Sequence, residues 1–128
     1  MKLKKKTIAY FSILVLALTI IYCTEKEPER NNNIPNPAAV YCEKLGYKYA
    51  VESENGQAGY CIFPNGEKCE EWSFFAGKCG QNWSYCEKHG GKIETTTEGC
   101  SFSTECAVCV LPTGERCYEW DYFNGECP

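Results

Sequence analysis

Apolar residues along the chain change rhythm several times, and each change marks an element. Ile8 to Tyr22 is a 15-residue apolar run behind a basic start at Lys2, Lys4, Lys5 and Lys6. Residues 23–36 are then polar, with three consecutive asparagines and scattered prolines. From Pro37 a helical period begins: Ala38, Tyr41, Cys42 and Leu45 fall at i, i+3, i+4 and i+7. Asn36 is placed to cap this helix, with Pro37 at its first position and Gly46 as its stop. The period then shortens to two. Tyr47, Tyr49 and Val51 alternate, so Tyr47 to Glu52 and Ala58 to Phe63 read as strands joined around Asn55-Gly56. Cys69, Trp72 and Phe75 return to a spacing of three, predicting a short helix that Gly77 ends.

The same succession recurs downstream. Tyr41-Cys42-Glu43-Lys44 matches Tyr85-Cys86-Glu87-Lys88, and Pro64-Asn-Gly66-Glu67 matches Pro112-Thr-Gly114-Glu115. Glu71-Trp72 with Phe75 matches Glu119-Trp120 with Phe123. Shared cysteines, tryptophans, glycines and prolines in one order signal an internal duplication. The second copy is expected to hold a helix over Asn82 to Gly90, strands over 92–97 and 106–111, and a short helix from Cys117. The fold class expected is α+β: two tandem disulfide-rich modules, 37–80 and 81–128, each a short helix, a β-hairpin and a short helix.

Modules of about 40 residues bury too little apolar surface to stand without staples. The chain supplies them, with 11 cysteines in 128 residues. Four per copy allow three connectivities. Placing Cys42 on the helix core face opposite Cys61, and Cys69 and Cys79 at the two ends of the short helix, favours Cys42–Cys61 and Cys69–Cys79. Copy two then pairs as Cys86–Cys109 and Cys117–Cys127. Its first two shared cysteines lie 23 apart rather than 19, and the insertion carries Cys100 and Cys106, expected to bond to each other. Cys23 stands outside this set. Cys106-Ala-Val-Cys109 has the CxxC spacing of zinc or thiol redox sites, yet it starts a strand and its cysteines fall in different bridges.

The basic start and 15-residue apolar run of 1–22 read as an export signal peptide or signal anchor, too short for the ~20 residues of a spanning helix. Ile20-Ile21-Tyr22-Cys23 partly matches a lipidation site, with Tyr22 where a small residue is usual. Three outcomes stay open: a lipid on Cys23, an uncleaved anchor, or a released protein. In each anchored case 23–36 is a flexible tether and the membrane is a partner through the N-terminal segment or lipid. Beyond the signal, 9 basic residues face 17 acidic ones, which argues against nucleic-acid binding.

Candidate chemistry is sparse. His89, the single histidine, sits beside Gly90-Gly91 and reads as a turn residue. Glu70, Glu71, Glu119 and Asp121 could serve acid/base work or calcium, but solvated helix faces account for them. Trp72, Phe75, Trp120 and Phe123 read as core before they read as a ligand platform. Asn82-Trp83-Ser84 is a glycosylation sequon where the host has that machinery. No catalytic set, metal site or cofactor is expected.

The ordered combination of Asn36-Pro37-Ala38, the helix cysteine, the Pro-x-Gly turn and Glu71-Trp72 resembles the family catalogued as domain of unknown function 333, over about 92 of the 128 residues in two copies. Copy two departs at its start, with Gln81-Asn82-Trp83. The resemblance implies a short exported protein, often a lipoprotein, with no established catalytic residues. Family members often carry a haemolysin label, which implies membrane lysis, but nothing after Cys23 looks like an inserting amphipathic segment. The expected role is therefore a non-enzymatic, membrane-anchored envelope protein that acts by binding an unknown protein partner or by structural display. The rival is a small exported protease inhibitor presenting the stapled Glu98 to Glu105 loop.

Overall fold

The computed structural model describes residues 36–127. The expectations for the signal, the tether and Cys23 lie outside the described residues. The first copy runs α1 (Pro37–Lys44), β1 (Lys48–Glu52), β2 (Ala58–Ile62), β3 (Lys68–Glu70) and α2 (Glu71–Phe75). The second runs through a 3-10 turn (Gln81–Trp83) into α3 (Tyr85–Lys88), β4 (Lys92–Thr96), β5 (Cys106–Val110), β6 (Arg116–Tyr118) and α4 (Glu119–Phe123). Each copy is an antiparallel three-stranded sheet in sequence order, with helices packed against it. The α+β class and the duplication are thus visible in the backbone.

Local chemistry explains most boundaries. Asn36 Oδ1 accepts the Ala38 N–H at 3.0 Å, with Pro37 at the first helical position where its missing N–H costs nothing. Ala38, Tyr41 and Cys42 are fully buried, as the helical period requires. Gly46 (φ 87°) and its counterpart Gly90 (φ 82°) stop the two helices in the left-handed region.

Two details differ from the sequence expectation. Cys69 and Cys117 do not open the short helices. They lie in third strands, Cys69 opposite Cys61 and Cys117 opposite Cys109. Three-residue strands carry no periodicity of their own, so the i, i+3 spacing with the following aromatics absorbed them. The copy-two helix is also broken at Ser84, whose backbone is extended (ψ 156°) and whose Oγ accepts the Glu87 N–H at 3.1 Å. A cap in mid-segment restarts the helix there.

The two copies share a core. Trp83, Tyr85, Trp120 and Phe123 of copy two pack against a cluster built on Tyr41, Tyr47, Phe63, Phe74 and Phe75 of copy one. Phe63 stacks on Trp83 at 5.7 Å, and the Tyr47 hydroxyl donates to the Trp83 carbonyl at 2.8 Å. Thr95 Oγ1 donates to the Ala76 carbonyl at 2.7 Å. The described residues accordingly lie in one compact unit, with the two copies meeting at this seam.

Candidate functional site

The cysteines come together in the pairs that spacing and placement favoured. Cys42 joins Cys61 and Cys86 joins Cys109, with Cα–Cα distances of 5.8 and 5.5 Å, tying each first helix to its central strand. Cys69–Cys79 (6.0 Å) and Cys117–Cys127 (6.3 Å) tie each third strand to the chain beyond its short helix. Cys100–Cys106 (5.5 Å) closes the inserted loop. The CxxC cysteines therefore belong to different bridges. All ten cysteines among the described residues are used, so none of them offers a thiolate to a metal or a redox partner.

The Glu-Trp segments correct the sequence reading. Glu71 and Glu119, expected on solvated helix faces, are 8% and 1% exposed. The cause is the third strand: it carries the chain across the sheet, so the first residue of each short helix turns inward. Glu70, by contrast, caps α2, accepting the Trp72 and Ser73 N–H groups at 3.1 and 2.8 Å.

The two buried carboxylates have different neighbours. Glu71 accepts the Tyr49 hydroxyl at 2.7 Å, within copy one. It lies over Gly59, where a Cβ would fall 2.7 Å from Glu71 Cδ, so only glycine leaves room for it. Burial, reinforced by this bond, pushes the Tyr49 hydroxyl up to about 12. Glu119 instead reaches across the seam. Its Oε1 accepts the Tyr41 hydroxyl of copy one and the Cys86 N–H at 3.0 Å. The Tyr41 hydroxyl in turn accepts the Tyr85 N–H at 3.0 Å. With Ser84 on Glu87, the first three N–H groups of α3 are satisfied by three different side chains. Burial holds both the Glu119 carboxyl and the Tyr41 hydroxyl above their ordinary values, favouring their protonated forms.

Glu119 Oε2 has no hydrogen-bond partner. The Cys86 and Cys109 sulfurs lie within 4.8 Å of the carboxylate, a grouping that would suit a metal were the sulfurs thiolates. Both are consumed in a disulfide, so this donor set does not fit a cation as it stands.

Outward of this junction lies an aromatic strip. Trp72 and Phe75 meet at 5.9 Å, Phe75 and Trp120 at 5.5 Å, and Trp120 and Phe123 at 5.8 Å. These four residues join the copies, as the core reading expects, and both tryptophans remain half-buried. Sequence reasoning missed Phe102. It comes from the insertion, is 50% exposed, and packs on Phe75 and Trp120 at 6.3 and 5.9 Å. Its position inside a cysteine-closed loop was the available signal. His89 ends α3, its ring on Tyr85 at 3.9 Å and its Nδ1 2.7 Å from the Tyr85 carbonyl, a local role.

The class of protein is thus a disulfide-stapled α+β tandem built around one aromatic seam. The chain belongs to the family described as Domain of unknown function (DUF333), whose model matches it twice, over residues 33–78 and 84–126. It is also 43% identical over 75 residues to an uncharacterized protein of Archaeoglobus fulgidus, a match covering 57% of this chain and 35% of the relative. The chain spans about a third of the length of that curated relative. No solved structure matches it.

Proposed function

We propose that this is an exported protein, anchored at the outer face of a membrane by its N-terminal segment, that works without catalysis by presenting a rigid binding surface. The observation that carries the reading is the disulfide set: five bridges in 92 residues, a density that belongs in an oxidising compartment. The basic start and apolar run before Cys23 supply the export route, and Cys23, outside the five pairs, is the residue for a lipid. Among the described residues no helix is long and apolar enough to cross a membrane, so anchoring falls to the segment before them.

The inhibitor reading has one supporting feature, the loop closed by Cys100–Cys106. It ranks second because the most prominent side chain there, Phe102, is committed to Phe75 and Trp120.

The test is made in cells producing the full chain. Protease added to intact cells should cut the tether and release the globular part, degrading that part only after reduction loosens it, and the wild type should sediment with membranes. Cys23→Ser should lose incorporated fatty acid. A reduced protein in the cytosolic fraction would refute export, and turnover of a substrate by the purified chain would refute the non-catalytic role.

A further inference from the structure

Phe75, Phe102 and Trp120 form a triangle of rings with centroids 5.5 to 6.3 Å apart. Together with Tyr118, Glu119 and Asp121 they line a cavity of about 40 Å³. That is room for about three waters, and far below the several hundred Å³ of a site for a whole small molecule. The size admits the tip of one side chain.

The chemistry of the lining selects which tip. Aromatic rings attract a cation lying against their faces. Two of the lining residues are acidic, and none is lysine, arginine or histidine. Of the two, Asp121 is the partly exposed one, whereas Glu119 is almost wholly buried, its free oxygen out of contact with solvent. The body around it is acidic as well: residues 36–127 hold 14 acidic and 7 basic side chains. Two nearby lysines are already engaged. Lys78 pairs with Glu105 at 2.7 Å, and Lys88 lies over Tyr47 at 4.9 Å.

We propose that this cavity receives the ammonium tip of a lysine side chain on a partner protein, with Phe75, Phe102 and Trp120 as its walls and Asp121 supplying the counter-charge. The site has no equivalent on the opposite side of the duplication, because Phe102 comes from the insertion that copy one lacks, while Phe75 of copy one completes its wall. The assignment rests on the binding role proposed above and names its ligand. Its failure would leave the export and anchoring tests untouched.

The experiment uses the full chain in detergent micelles, labelled with nitrogen-15 and followed at the Trp120 indole N–H. The probes are N-acetyl-lysine methylamide, its ε-acetylated form, and the norleucine analogue. The expected result is a saturable shift with lysine alone. Phe102→Ala should weaken lysine about two- to five-fold through loss of one cation–π wall. Asp121→Asn, at a partly exposed position, should weaken it to a similar degree while leaving the other resonances in place. Norleucine binding as tightly as lysine, no saturable shift with lysine, or unchanged affinity in both variants would overturn the proposal.

Discussion

Tyr41→Phe removes one oxygen at the point where the two copies meet, and its cost can be worked from the geometry. The hydroxyl makes two bonds in the structure, donating to Glu119 Oε1 and accepting the Tyr85 N–H at 3.0 Å. Tyr41 and Glu119 are 0% and 1% exposed, so water cannot readily replace what is lost. Leaving the buried Glu119 oxygen without this donor costs about 1–3 kcal/mol, and an unsatisfied N–H at a partly buried helix start adds about 1 kcal/mol. The expected loss is therefore about 2–4 kcal/mol. The internal duplication supplies the control. Tyr49→Phe removes a hydroxyl from the equivalent glutamate, Glu71, but in a more open setting and with one bond at 2.7 Å. Its cost should stay near 1 kcal/mol. Guanidinium unfolding without reductant, followed by tryptophan fluorescence, measures both variants. Because both changes remove one hydroxyl and keep the ring, packing cancels. A Tyr41→Phe loss no greater than that of Tyr49→Phe would refute the view that the seam is locked through Glu119.

Three further outcomes follow from the same structure. Burial raises Glu119 above its usual value of 4.5, so the folded state holds that proton more tightly than the unfolded chain. The resulting stability is full below the unfolded value and is lost as pH rises through the folded one. Measured by denaturant midpoints from about pH 4 to 7, Glu119→Gln should therefore gain on the wild type as pH rises, and a constant difference would contradict this. A Cβ at Gly91 would lie 2.5 Å from Cys109 Sγ and 2.8 Å from Cys86 Sγ, so Gly91→Ala should yield free thiols at these two cysteines in a non-reducing peptide map. Replacing Cys100 and Cys106 by serine opens a bridge of sequence separation 6, against 23 for Cys86–Cys109. Loop-closure entropy predicts losses of about 2 and at least 3 kcal/mol respectively, and the reverse order in thermal unfolding would count against it.

The parts of this fold legible in the sequence are those with local or repeated signals. Asn36-Pro37 announced a helix start, Asn55-Gly56 a hairpin, and the matched cysteines a duplication that narrowed the pairing. What stayed hidden depends on contacts between residues distant in sequence. Glu119 beside Trp120 looks like any acidic residue on an exposed helix; only Tyr41, 78 positions earlier, reveals it as buried. The third strands were masked because Cys69 and Cys117 satisfy two patterns at once, the helix spacing ahead of them and the strand pairing behind. The seam had no signal either, since the aromatic residues that build it also fit a core within each copy. Phe102 was legible only as a member of a stapled loop, with nothing local to place it on Trp120.

The central claim is that ten cysteines close one body made of two copies, and the proposed function puts the membrane anchor on Cys23. Intact mass and non-reducing peptide mapping of the full protein, purified from membranes, test it together. The account predicts the pairs Cys42–Cys61, Cys69–Cys79, Cys86–Cys109, Cys100–Cys106 and Cys117–Cys127, no free thiol among them, and a lipid adduct on Cys23. Cys23 found in a disulfide, or free thiols at the ten downstream positions, would contradict it.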